Sequence, residues 1–164
     1  MAIWLFRARA SGEHEQKFLS ENRIHLTWDS LNINLISFKN KEELYPYLIE
    51  KYGLPKKRTA YNWASQLYPM ANSMQIGDWI VLPSKINKTV HFDEIKSEYQ
   101  FDVNANNPFY HYRDVHWFST NVPKKVFKPD ILNSFGAFMT ICQIKANDAE
   151  ERLIKMYQNN WLSE

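Results

Sequence analysis

Gly77-Asp78-Trp79-Ile80-Val81-Leu82-Pro83-Ser84 divides the chain into two textures, and its reading decides the fold. Gly77-Asp78 is a turn signal. Trp79 to Leu82 is a continuous apolar run of strand length, and Pro83-Ser84 closes it. Beyond it the chain reads mostly as strand. Asn87-Lys88 is a hairpin-like connection into a strand over about 89–101. An Asn-rich loop spans 102–108, and a further strand covers 110–118. Pro129 opens a short helix ending near Gly136, and a last strand covers 137–145. Asn147 with Glu150 has the form of a capping box and predicts a C-terminal helix to about Asn159.

Before the dividing stretch the chain reads as one strand and then helices. Residues 2–8 form a buried strand. Ser11 is placed to cap a helix over 13–21. Ile24-His25-Leu26-Thr27-Trp28 alternates as a strand. Asn40 and Glu43 form a capping box for a helix that Gly53 closes. Ala60, Trp63, Ala64 and Leu67 mark the apolar face of a helix over about 59–74, which Pro69 is expected to kink or split. This order predicts an α+β fold: a small mixed, mostly antiparallel β-barrel flanked by helices.

The 164 residues fit one domain, at about 150 residues per domain. No repeat or linker divides them. Hydrophobic residues make up 45% and charged residues 23%, as in an ordinary globular chain. Aromatics reach 15%, a surplus that suggests a binding surface beside the core. The single cysteine, Cys142, excludes an internal disulfide and reads as a buried structural thiol. No apolar run approaches the roughly 18 residues of a membrane span, and the start is too soon charged for a signal peptide. The expected location is cytoplasmic, away from membranes. Net charge is +2, so nucleic-acid binding would need local patches rather than bulk charge. Lys56-Lys57-Arg58, Lys124-Lys125 with nearby Lys128, and the single cations Arg9 and Lys85 are candidate phosphate contacts. Solvated loop charges are the other reading.

Catalytic signatures are missing from the sequence. The five histidines lack ligand spacing, since His111 and His116 face opposite sides of a strand, so no metal and no cofactor is expected. There is no Gly-rich phosphate loop and no nucleophile elbow. Glu94-Ile95-Lys96 and Gln143-Ile144-Lys145 resemble nuclease triplets, but the strand order does not supply the βαβ core they require.

The informative segment is 110–118. One strand face carries His111, Arg113, Val115 and Trp117. Val115 and Trp117 read as core, so Arg113 points inward and needs a partner. Glu94 is the candidate, in an ion pair that fixes strand register. A pocket-lining or DNA-contacting Arg113 is the alternative, with His111 and Trp117 beside it in either role. Trp28 ends its strand, where pockets open. It is either core or an aromatic wall on which a flipped base stacks, an interaction of about 1–3 kcal/mol per base. Tyr99, Phe101, Phe109 and Tyr110 flank the Asn-rich loop as core edge or further walls. Trp4, Trp63 and Trp79 read as packing, and Trp161 as a terminal ring left for more protein to cover.

Several of these segments, in order, resemble the N-terminal region of Mrr-like restriction endonucleases. They are Trp4-Leu5-Phe6-Arg7-Ala8, Gly12-Glu13, Ile24 to Trp28, Gly77 to Lys85, Tyr110 to Trp117, and Phe135-Gly136-Ala137-Phe138-Met139-Thr140-Ile141. The resemblance implies a PUA-like domain, of the superfamily that includes EVE, YTH, ASCH and SRA modules. Many of these read a modified base by flipping it into an aromatic-walled pocket. It places Pro83, Ser84 and Lys85 at that pocket; Trp28, Tyr99, Tyr110 and Arg113 are the further members that the strand reading above supplies. The expected partner is DNA carrying a modified base, and the expected role is to direct a C-terminal nuclease domain against foreign DNA. A PUA-like RNA-binding module, an enzyme in its own right and a protein-interaction domain of a defence complex are the alternatives. Asp93-Glu94-Ile95-Lys96 departs from the Gly-Glu-Ile-Thr expected of relatives, which leaves the base preference open.

Overall fold

A computed structural model of the chain describes residues 1–8 and 12–164. Ser11 as a cap and Arg9 as a phosphate contact therefore lie outside the described residues. The strands are β1 (Ile3–Phe6), β2 (Arg23–Leu26), β3 (Trp79–Pro83), β4 (Thr89–Ile95), β5 (Gln100–Phe101), β6 (His111–Pro123) and β7 (Ile141–Gln143). The helices are α1 (Glu15–Glu21), α2 (Lys41–Tyr52), α3 (Lys57–Asn72), α4 (Pro129–Phe135) and α5 (Ala149–Gln158). The strands pair in the order β2-β6-β4-β3-β1-β7, with β5 added beside β6. β1 and β3 run parallel, and the other pairs are antiparallel. The α+β class and the mostly antiparallel sheet are as expected. The sheet curls as a half-barrel.

Each face of this sheet carries its own core. Side chains alternate along a strand. On β1, Trp4 and Phe6 therefore join α1, α2 and α3, while Ile3 and Leu5 join α4 and α5. On β3, Ile80 and Leu82 face the first core and Val81 the second. Burial on both faces explains why these strands read as unbroken apolar runs. Asp78 pins them together: its carboxylate accepts from the Ala2 N–H, the Gln75 N–H and the Trp4 indole, each at 3.0 Å.

Several local expectations hold. The Asn40 side chain accepts from the Glu43 N–H at 3.0 Å, and Gly53 closes α2 at φ 60°. Others need correction. Pro69 does not split α3, which runs unbroken over Lys57–Asn72 with Pro69 in its last turn. The strand expected over 89–101 is two strands, β4 and β5, and that over 137–145 shrinks to β7. The box at Asn147 and Glu150 does not form: Asn147 and Asp148 both take left-handed backbone, and Asp148 precedes α5 without a side-chain cap. Trp161 is not left for another protein to cover. It stacks on Phe92 with centroids 4.4 Å apart, and its indole donates to the Ser119 hydroxyl at 2.8 Å.

Candidate nucleic-acid interface

The inward polar face of β6 serves the fold. Arg113 is 1% exposed, and its guanidinium donates to three main-chain carbonyls: Met70 at 2.9 Å, Met74 at 3.0 Å and Ser97 at 3.1 Å. Met70 belongs to the last turn of α3, whose free carbonyls attract a cation. Burial holds the Arg113 pKa below its usual value. The expected ion pair with Glu94 is absent. Glu94 points to the opposite face of β4 and pairs with Lys96 at 2.7 Å, because neighbouring strand positions alternate.

His111 and Tyr99 are likewise tied to main chain. The Tyr99 hydroxyl lies 2.6 Å from His111 Nδ1 and accepts from the Leu35 N–H at 3.1 Å. His111 Nε2 donates to the Leu31 carbonyl at 2.6 Å. These bonds fix a neutral imidazole, and burial lowers the His111 pKa to about 4. Trp117 donates its indole N–H to the Phe18 carbonyl at 3.1 Å, and Tyr110 is half-buried beside His111. None of these five residues lines the clefts described next.

A second polar row lies on β4. His91 Nε2 approaches Glu15 Oε1 at 2.7 Å, and Ser84 donates to Glu15 Oε2 at 3.2 Å. His91 Nδ1 accepts the Asn121 N–H, so the proton sits on Nε2 and is donated to the carboxylate. The Ser84 oxygen also accepts from the N–H groups of Ile86 and Asn87. Ser84 therefore holds the β3–β4 turn against α1, and its hydroxyl is already engaged rather than free to read a base edge. On the same face of β4, Asp93 is fully buried, and neither carboxylate oxygen has a hydrogen-bond partner among the described residues. Burial raises its pKa well above the usual value.

Two clefts open nearby. The first, about 450 Å³, sits where β3 ends against the α4–β7 segment. It brings Pro83, Ser84, Lys85 and Lys124 together with Arg7, over an apolar floor that includes Leu132 and Phe135. None of the described lining residues is acidic. Arg7 Nη2 donates to the carbonyls of Phe135 and Ala137 at 3.1 and 2.5 Å, while its Nε is buried without a partner among the described residues. Gly12 allows the turn to approach: it has φ +72°, and a Cβ there would lie 2.7 Å from the Lys85 Cβ. Lys125 is exposed outside this cleft.

The second cleft, about 320 Å³, is lined by Thr27, Trp28, Asp29, Tyr52 and Trp63. Trp63 meets Trp28 edge-on at 5.2 Å and Tyr52 at the same distance. The Tyr52 hydroxyl donates to the Asp29 carbonyl at 2.7 Å, which sets the ring, and burial raises its pKa to about 12. Lys56, Lys57 and Arg58 are exposed where α3 begins, less than two turns before Trp63. α3 connects to both clefts: Trp63 lines the aromatic one, and the buried Gln66, three residues on, accepts through its side-chain carbonyl the N–H of Thr140, which lines the cationic cleft.

The structure thus splits the pocket residues named from the sequence. Trp28 stands in the aromatic cleft, Pro83 and Ser84 in the cationic one, and Tyr99, Tyr110 and Arg113 in neither. The sequence reading did not single out Arg7, hidden in an apolar run, or Tyr52. Trp63 packs against the first core, as its helical spacing with Ala60, Ala64 and Leu67 indicates, and it also lines the aromatic cleft. Among the described residues no cluster of three or more His, Cys, Asp or Glu is placed to hold a metal ion, and no helix is long and apolar enough to cross a membrane.

Residues 4–145 match a protein-family model described as a domain of unknown function, DUF8426. No curated protein and no solved structure matches the chain.

Proposed function

The chain belongs to the DUF8426 family of domains of unknown function, and on that premise we propose that it is a PUA-like DNA-binding domain that recognises a modified base. The observation that carries this reading is the presence of both clefts, linked through α3 by Trp63 in one and the Gln66–Thr140 bond beside the other. Three aromatic rings line one, and Arg7, Lys85 and Lys124 line the other without an acidic residue among its described lining. The cations hold backbone phosphates and set register without reading sequence. The target nucleotide leaves the stack, at a cost of a few kcal/mol. Its base enters the Trp28–Trp63–Tyr52 cleft, where ring contacts are tolerant of base identity and the remaining volume discriminates the modification. Such a domain would direct a modification-dependent nuclease against foreign DNA.

The test is fluorescence anisotropy at fixed salt with matched duplexes. One is unmodified, and the others each carry 5-methylcytosine, 5-hydroxymethylcytosine, N4-methylcytosine or N6-methyladenine. The expected result is a preference of about tenfold or more for one duplex, equal to about 1.4 kcal/mol, lost in Trp28→Ala. Equal binding to all duplexes, or tighter binding to matched RNA, overturns the reading.

A further inference from the structure

We propose that Phe138 is a wedge that enters the base stack and occupies the space vacated by the flipped nucleotide; this rests on the reading above. Phe138 is the most exposed large apolar side chain among the described residues. It stands on the rim of the cationic cleft. Exposure alone would fit a loose loop, but this loop is fastened on both sides of Phe138. On one side Arg7 Nη2 grips the carbonyls of Phe135 and Ala137. On the other, the Thr140 N–H donates to the Gln66 side chain at 2.7 Å, and the Thr140 carbonyl accepts the Arg7 N–H at 2.9 Å. The residue that grips the loop is itself one of the cleft's cations.

An apolar side chain held into solvent beside Arg7, Lys85 and Lys124 fits a polyanion with an apolar interior. A nucleic-acid duplex is that partner: its phosphates meet the cations, and its base steps accept an inserted apolar wedge. Ile86, 71% exposed, follows Lys85 in the β3–β4 turn and is a second exposed apolar tip. Gln66, which holds Thr140, belongs to the same helix as Trp63, so the loop that carries Phe138 is fastened to the element that also lines the aromatic cleft.

A wedge acts by opposing closure of the stack, so its contribution depends on whether the target base is paired. The experiment compares the parent with Phe138→Ala on the tightest-bound duplex of the panel above. The same duplex with an abasic site opposite the target base serves as the second probe, because that base has no pair to break. The expected result is a loss of about tenfold or more on the paired duplex, with less than about a twofold change on the abasic one. Phe138→Leu, which keeps an apolar wedge, should recover most of the loss. Equal losses on both probes make Phe138 an ordinary contact and overturn the wedge, as does no loss on either. Parent binding to neither probe overturns the functional reading together with it. Binding of the parent to phosphatidylserine vesicles that Phe138→Ala abolishes, with duplex binding unchanged, assigns the side chain to a membrane surface and overturns the wedge alone.

Discussion

The guanidinium of Arg113 reaches from the inner face of β6 to the carbonyl of Met70, 2.9 Å away in the last turn of α3. Together with its bonds to Met74 and Ser97, it ties the sheet to the helix that carries Trp63. Arg113→Leu leaves three carbonyls without this donor. A buried group left unsatisfied costs about 1–3 kcal/mol, so the expected loss of stability is about 3 kcal/mol or more. Arg113→Lys should recover little, because one ammonium cannot reproduce the planar fork. Denaturant midpoints measure both variants. Parental stability in Arg113→Lys would refute the cap.

Asp93 carries an unusual load, a carboxyl buried without a partner among the described residues. Its folded pKa is raised, so the unfolded chain loses this proton first as pH climbs through the usual carboxylate range. The contribution of Asp93 to stability therefore falls as pH rises above about 4. Asp93→Val keeps the approximate volume and suits a strand. It should stabilise the protein at neutral pH by about 1–3 kcal/mol, with a smaller gain at acid pH. Thermal unfolding at two pH values tests this, and a gain independent of pH would show that ionisation is not the cause.

The histidines act with the opposite sign. Burial lowers the His111 pKa from 6.5 to about 4, so the unfolded state binds this proton first as pH falls. The stability held by neutral His111 is complete above about 6.5 and lost progressively toward pH 4. The shift corresponds to roughly 3 kcal/mol. His25 shifts in the same direction, also through burial. Because Asp93 opposes this slope over the same window, the clean measurement is the difference between parent and His111→Asn. The variant should be less stable at neutral pH, and its deficit should shrink as pH approaches 4. A constant deficit would show that the imidazole is not held neutral.

What could be read from the sequence followed the strength of local signals. The turn at Gly77-Asp78, the Asn40 cap on Glu43 and the stop at Gly53 depend on a few adjacent residues and form as expected, while the Glu43 carboxylate accepts from the Lys39 N–H instead of closing the box on Asn40. The failed box at Asn147 had the right letters, but left-handed backbone at Asn147 and Asp148 removed the geometry it needs. The pocket was less legible because its members come from distant segments. Trp28 and Pro83 share no cleft, and Arg113 found its partner in helix carbonyls rather than in a side chain. Carbonyls at a helix end leave no mark in the sequence beside the residue they satisfy. Among the cations, Lys85 and Lys124 are distant in sequence and folding brings them to one cleft with Arg7, while Lys125 and Lys56 to Arg58 lie outside it.

That convergence gives a prediction separable from base recognition. A lysine that contacts phosphate releases counterions on binding, so its loss weakens all duplexes alike and lowers the dependence on salt. Lys85→Gln and Lys124→Gln should each reduce the slope of log affinity against log salt by about one, with modified and unmodified duplexes weakened in parallel. Trp28→Ala should do the reverse, leaving the slope unchanged while removing the preference among duplexes. Anisotropy titrations at several salt concentrations measure both quantities in one series. A lysine variant that changes the preference but not the slope would place that side chain against the base, and an unchanged slope in both lysine variants would remove the phosphates from the cationic cleft.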